Sequence, residues 1–297
     1  MSTDRTERIK QLTLVALFSD DELVNALVLK GGNALSLAHG LKSRASFDLD
    51  FSMAGRFEPT NLDRIRARIE HRLKQTFAQE ELVAFDIDLR PQPQTLSPDL
   101  EAFWGGYALE FKLIERTQYD DLQGDVEKMR RRAIAARPGG KARFEIDISP
   151  NEYCEGKQTI EIDHFTIYVY TPVMVVCEKI RAICQQTPEY SKLVRRQPRV
   201  RARDFFDVFE AMTRFDITLD AAENQEILRR MFEAKRVPLH LLGKLGGQRA
   251  FHQEGWDSLK DTVASGVKLK DFDFYFDFVL RICDCLVQKM GVNPLGT

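Results

Sequence analysis

The sequence predicts an α/β domain over residues 1–172 followed by a helical domain over residues 173–297. Three observations predict it. Between Val28 and Met53 an apolar run, a glycine pair, a helical stretch and a second alternating run follow one another closely. Short runs rich in β-branched and aromatic residues then continue to Tyr170 and end at Pro172. Beyond Pro172 the apolar residues recur at helical rather than strand spacing.

Taken in order, Thr6 to Leu23 reads as an opening helix, with Ile9, Leu12, Val15, Leu17 and Phe18 forming an imperfect apolar stripe. Ala26 to Leu29 reads as a short buried strand that ends at Gly31-Gly32, a pair that permits a tight turn with positive φ. Asn33 is the expected N-cap of a helix containing Leu35, Leu37 and Ala38 and stopping at Gly40. A polar loop with Lys42, Ser43, Arg44 and Ser46 leads to a second strand starting at Phe47. Asn61 to Ala78 is amphipathic: Leu62, Ile65, Ile69, Leu73 and Phe77 share one face. Its cations, Arg64, Arg66, Arg68, Arg72 and Lys74, read as a solvated face.

Strands are expected at Leu82 to Leu89, Tyr107 to Ile114, Phe144 to Ser149, and as a hairpin from Thr159 to Tyr170. Arg90 to Gly106, with Pro91, Pro93 and Pro98, is an expected loop. Asp125 to Ala136 is an expected short basic helix, and Arg137 to Lys141 a loop. Helices are then expected over Val173 to Gln185, Ala221 to Phe232, Leu259 to Val263 and Phe272 to Lys289. The most basic run, Lys192 to Arg203, leads into Asp204 and Asp207, which are neighbours on a helix with Arg203 in reach of Asp207.

Chemistry concentrates in the first unit. Alternation from Phe47 places Phe47, Leu49 and Phe51 on one face and Asp48 and Asp50 together on the other. Neighbouring carboxylates repel, and a folded chain keeps them partly dry only where a cation neutralises them. A divalent ion, magnesium or manganese, meets that need with oxygen ligands, and magnesium completes its shell with water and substrate phosphates. The helix opening after Gly31-Gly32 offers unpaired N–H groups to an anion such as the triphosphate of an NTP. Two later strands repeat the carboxylate pattern, Asp86 with Asp88 and Glu145 with Asp147, and either is placed to supply a third metal-holding carboxylate.

Lys30-Gly31-Gly32-Asn33-Ala34-Leu35 followed by Ser46-Phe47-Asp48-Leu49-Asp50-Phe51-Ser52 resembles the first motif of the AbiEii/AbiGii nucleotidyltransferases. These are toxins of type IV toxin–antitoxin and abortive-infection systems within the DNA polymerase beta-like superfamily. Glu178-Lys179-Ile180-Arg181-Ala182 resembles that family's Glu-Lys-x-Arg-Ala helix, and Arg201, Asp204 and Asp207 its Arg-x-x-Asp-x-x-Asp motif. The resemblance implies a polymerase beta-like fold with a mixed sheet. It also implies a catalytic group of Asp48, Asp50, Asp147, Lys179 and Asp204, with Asp48, Asp50 and Asp147 on the metal. It prefers Asp147 to Asp86 or Asp88 because an Ile-Asp-Ile-Ser strand precedes the helical region in the family. Lys30, Gly31, Gly32, Asn33, Ser46 and Lys179 would bind the nucleotide, Asp204 would orient Lys179 or an arginine, and Asp207 would be more structural. The family's small hydroxyl residue after the glycines is Asn33 here, a departure that touches the phosphate contact and leaves the metal site intact. The implied reaction moves an NMP from an NTP to an acceptor hydroxyl, the 3′ end of a tRNA, in a toxin held by a separately encoded antitoxin.

Composition bounds these readings. At 43% hydrophobic and 30% charged, the 297 residues suit an ordinary globular protein. A net charge of -2 provides no global attraction to nucleic acid, so any RNA contact must come from a local basic patch. A polar N-terminus without an apolar signal core, and no run of about 18 apolar residues, predict a cytoplasmic protein with no membrane partner. Cys154, Cys177, Cys184, Cys283 and Cys285 form no Cys-x-x-Cys pair and read as reduced core thiols. The same residues also admit a small-molecule nucleotidyltransferase of the antibiotic-modifying kind, or a non-catalytic nucleotide-binding module acting through a partner. A phosphohydrolase fits less well, because the glycine pair precedes the acidic pair.

Overall fold

The computed structural model describes residues 3–46, 48–136 and 140–293; Phe47, the expected start of the second strand, and residues 137–139 of the expected basic loop lie outside them. The chain folds as α1 (Thr3–Phe18), α2 (Asp21–Ala26), β1 (Val28–Lys30), α3 (Gly31–Asn33, continued by a π-helical turn Ala34–Ala38), β2 (Leu49–Ser52), α4 (Leu62–Ala78) and β3 (Leu82–Gln92). Next come α5 (Pro98–Glu101), β4 (Gly106–Glu115), α6 (Arg116–Asp121), α7 (Val126–Arg132), β5 (Phe144–Ser149), β6 (Gln158–Ile162) and β7 (Phe165–Val169). The remainder is helical: α8 (Pro172–Cys184), α9 (Pro188–Val194), α10 (Ala202–Arg214), α11 (Ala222–Ala234), α12 (Arg249–Gln253), α13 (Trp256–Lys260) and α14 (Phe272–Lys289).

The strands form one mixed sheet of order β3-β4-β5-β2-β1-β7-β6. β1 runs antiparallel to β2, and β2 parallel to β5. This central trio sets the site, because Lys30 stands opposite Asp50 and Asp50 opposite Asp147. Leu49, Phe51, Ile146 and Ile148 on the other face are buried and anchor the row. Ile65, Ile69, Leu73 and Phe77 of α4 are buried, as their spacing requires, and α4 lies between α1 and β3. Its cations are engaged locally: Arg68 with Asp20 at 2.9 Å and Arg64 with Glu22 at 2.6 Å.

Several expected elements shift. The opening helix breaks after Phe18, because the Asp20 carboxylate accepts the N–H groups of Glu22 and Leu23 and so caps a second helix. The first strand begins at Val28, since Leu27 closes α2. β3 runs through Pro91 to Gln92, where a loop was expected; as an edge strand it tolerates a residue without an N–H. The basic helix is only Val126–Arg132, capped by Asp125, and the helix expected at Leu259–Val263 is instead Trp256–Lys260. The 3₁₀ stretch Leu239–Gln248 and α12 carry no clear period in the sequence.

In the helical region α8 packs against α10 and α11, and α10 against α14. Phe205 stacks on Phe276 at 5.1 Å, and Phe206 meets Tyr275 edge-on at 5.4 Å. One hydrophobic cluster runs from Ile9 through the sheet to Leu286. Among the described residues no helix is long and apolar enough to cross a membrane.

Candidate active site

Of the residues singled out from sequence, Lys30, Gly31, Gly32, Ser46, Asp48, Asp50, Asp147, Lys179 and Asp204 all line one cleft of about 610 Å³ between the sheet and the helical region. Asn33 does not. It is fully buried, and its amide donates to the Asp48 carbonyl at 2.6 Å and to Ser46 Oγ at 3.3 Å. The expected N-cap role fails too: Lys30 occupies that position, and the helix opens at Gly31 itself. Asn33 thus fixes the loop that presents Asp48.

Gly31 has φ of +68°, and a Cβ there would sit 2.9 Å from Asp50 Oδ2. A Cβ on Gly32 would sit 2.8 Å from Ser46 Oγ and 3.2 Å from Arg44 Nη2. The glycine pair is therefore required by the close approach of backbone to carboxylate, loop serine and arginine as well as by the turn.

The Lys30–Asp50–Asp147 row is the electrostatic centre. Burial pushes the Asp50 carboxyl up to about 7; Lys30 opposes the rise, while Asp147 and Glu178 add to it. Burial raises Asp147 likewise, against Lys30 and with Asp48 adding to the rise. Asp86 and Asp88, the competing pair, are elsewhere: Asp86 is held by Lys112 at 2.7 Å and Arg130 at 2.6 Å, and Asp88 by Arg90 at 2.7 Å. Arg130 and Lys112 hold the Asp86 carboxyl down to about 2. Among the described residues no three His, Cys, Asp or Glu side chains are gathered into a ready metal cage. Two neighbouring carboxylates that open on a cleft, Asp50 half-buried and Asp147 exposed, still fit magnesium, which binds through one or two carboxylates and completes its shell with water and substrate phosphates.

Beneath the row lies a buried ionic floor that the sequence reading missed. Lys30 Nζ donates to Ser149 Oγ at 3.0 Å and to Glu152 Oε1 at 3.4 Å. Arg181 and Lys235 reach the same Glu152 oxygen at 3.3 and 3.5 Å. These cations outweigh the burial of Glu152 and hold its carboxyl down to about 2, while burial brings Lys235 down to about 8. Glu152 follows a Pro150-Asn151 turn with partners 29 to 122 residues away, so no local pattern reveals it.

On the opposite wall Lys179 Nζ contacts Asp204 Oδ1 at 2.9 Å and Asp207 Oδ2 at 2.7 Å. Asp207 also accepts from two of the three guanidinium nitrogens of Arg44, Nε at 2.7 Å and Nη2 at 2.6 Å. Arg203, the expected partner of Asp207, turns instead to the Ser258 carbonyl. Arg44 wins because the backbone of its loop bridges to Val263 and brings the guanidinium over α10. Burial works against the Lys179 charge, yet Asp204 and then Asp207 raise its pKa and keep it protonated.

A mixed sheet that sets a glycine turn beside aligned carboxylates in one cleft frames the comparison with known folds. The fold is shared with a putative nucleotidyltransferase from H. pylori at a TM-score of 0.50 and 14% identity, covering 98% of each chain. JHP933 from Helicobacter pylori aligns at a TM-score of 0.44 and 16% identity, over 98% of this chain and 95% of that one. MenT4, a nucleotidyltransferase toxin from Mycobacterium tuberculosis, aligns at 0.44 and 14%, over 95% of this chain and 85% of that one. Comparison with curated proteins yields no match. The profile of the family described as nucleotidyl transferase AbiEii toxin, type IV TA system, matches residues 13–278, and the chain belongs to that family.

Proposed function

We propose that this nucleotidyltransferase moves an NMP from an NTP to a hydroxyl at the end of an RNA, with a tRNA 3′ end as the acceptor, and releases pyrophosphate. It acts in the cytoplasm as a toxin checked by a separately encoded antitoxin. The observation that carries the reading is the alignment of Lys30, Asp50 and Asp147 across three adjacent strands next to Gly31 and Gly32.

Asp50 and Asp147, joined by Asp48, would hold magnesium or manganese, which supplies charge neutralisation at the phosphates and a lowered acceptor pKa. Gly31 and Gly32 bring backbone N–H groups to the phosphates, and a side chain at either would press on Asp50 or on Ser46 and Arg44. Two of the three N–H donors of Lys179 go to Asp204 and Asp207, which leaves one for a phosphate oxygen. Asp147 takes the acceptor proton as the new O–P bond forms at the α-phosphorus. The bond to the bridging oxygen breaks, and pyrophosphate departs towards the glycine turn. Positioning and electrostatics provide most of the rate, since the protein forms no bond to the substrate.

The test incubates purified protein with each α-labelled NTP, magnesium and total tRNA, beside the Asp48→Ala/Asp50→Ala double variant. Label entering RNA only with intact carboxylates is the expected result. Label absent from RNA with all four NTPs refutes the RNA acceptor.

A further inference from the structure

The cleft contains many cations, and nearly all are spent. Lys30, Arg181 and Lys235 converge on Glu152, while Lys179 and Arg44 are held by Asp207. Arg201 lies 3.6 Å from Asp204. Arg196 and Arg199 differ: both line the cleft, and among the described residues neither has an acidic partner within salt-bridge distance. Their loop is rigidly tied. The Arg199 N–H donates to Gln186 Oε1 at 2.7 Å, and the Arg201 N–H to His252 Nδ1 at 3.1 Å, both acceptors being on buried residues. Burial and the nearby Arg199 lower the pKa of Arg196, so the two cations disfavour each other and favour an incoming anion.

Their location separates two sources of phosphate. Lys30 and Lys179 are the cations that act on Asp50, beside the glycine turn. Lys30 acts on Asp147 as well and more strongly than Arg199 does, but Arg199, unlike Lys30, lines both the main cleft and an adjoining groove of about 470 Å³. That groove shares only Gln92, Asp147 and Arg199 with the cleft and leads away along the solvent face of β3, β4 and β5. In-line attack on the α-phosphorus requires the acceptor to enter opposite the departing pyrophosphate, which is the Asp147 side. In the main cleft Arg196, near enough to Arg199 for their charges to interact, lies 5.7 Å over the ring of Trp104, itself braced edge-on by Tyr190 at 6.0 Å. An aromatic ring beside arginines that no acid holds is how proteins hold single-stranded nucleic acid, stacking a base and pairing its phosphates.

We infer that Trp104, Arg196 and Arg199 form the acceptor-strand site, which holds the unpaired end of a polynucleotide so that its terminal hydroxyl meets Asp147. The inference rests on the nucleotidyl-transfer reading above and adds three residues outside its catalytic group. Trp104 takes a base, the arginines take the flanking phosphates, and the groove beyond Asp147 receives the rest of the strand.

The experiment titrates a fluorescent single-stranded RNA oligonucleotide, and separately an NTP with magnesium, into the full chain and into Arg196→Ala, Arg199→Ala and Trp104→Leu. Circular dichroism checks folding, and Arg199→Lys tests rescue by charge. The RNA Kd is expected to rise about tenfold in each variant, which loses a stacking ring in Trp104→Leu and a phosphate partner in each arginine variant. Each lost arginine is also expected to reduce the salt slope of RNA binding by about 0.7. NTP affinity should stay within about twofold of the parent and Arg199→Lys should recover most of the RNA affinity. Weakened NTP binding with unchanged RNA binding would reassign the arginines to the triphosphate and overturn the inference. Unchanged binding of both ligands overturns it as well. A parent protein that binds NTP but no RNA removes the acceptor site and leaves nucleotidyl transfer standing, whereas one that binds no NTP removes the transfer reading itself.

Discussion

Lys179 shows at the residue scale how a buried charge becomes usable. It is 4% exposed, and the two carboxylates of α10, with a smaller contribution from Glu178, keep it ionised at the cleft wall. His252 is the opposite case, fully buried and, among the described residues, with no acid within hydrogen-bond distance. Its Nδ1 accepts the Arg201 N–H, so the ring is neutral, and burial holds its pKa down to about 4 although Asp204 pulls upward. The folded pKa lies below the ordinary 6.5 of histidine. The unfolded chain therefore takes the proton first as pH falls. Stability from this residue is full above pH 6.5 and is lost progressively towards pH 4, on the order of 3 kcal/mol in total. Denaturant unfolding from pH 7.5 to 4.5 should show this loss, and a shallower slope in His252→Asn. Equal slopes in the two proteins would assign the acid sensitivity to other groups.

At the scale of elements, the unit from β1 to β2 depends on backbone geometry that only glycine supplies. Gly31→Ala places a side chain at positive φ, costing about 1–2 kcal/mol, and presses its Cβ on Asp50. Reduced melting temperature together with loss of NTP labelling is the expected outcome; normal labelling would show that the cradle has slack. This unit was legible in outline because its signals are local, a glycine pair and carboxylates two residues apart, although the strand begins at Leu49 and leaves Asp48 in the bend before it. Phe144–Ser149 and Phe272–Lys289 were legible for the same reason, each having one clean period. Asn33 was misread because an Asx residue beside a helix start looks like a cap, and nothing local reveals that its amide reaches Asp48, 15 residues on. The 3₁₀ stretch after Pro238 has no period to read. Glu152 and Lys235 were invisible because their meaning lies in a junction that exists only after folding.

Across the whole molecule, the cleft sits between a sheet and a helical region whose contacts are of the kind found inside one core. Arg44 from the loop before β2 is bound by Asp207 of α10, and residues 43–45 bridge by backbone to residues 262–264. Lys235, just past α11, donates to the Pro150 carbonyl at 2.6 Å beside Glu152. Separating the regions would strand these buried charges, which typically costs about 3–5 kcal/mol for each broken pair. It would also expose the shared hydrophobic cluster. Unfolding should therefore be a single cooperative transition despite the chain length, at which separate steps are common. The two tryptophans provide the check, since Trp104 reports from beside β4 and Trp256 from α13. In Trp104→Phe and Trp256→Phe, the remaining tryptophan's fluorescence midpoint in urea is expected to coincide with that variant's own far-UV circular dichroism midpoint. A Trp104 signal that changes at a different urea concentration from the helices would mean that the regions unfold independently. The cleft would then be free to open along that boundary, and its width would depend on the occupant rather than on the fold.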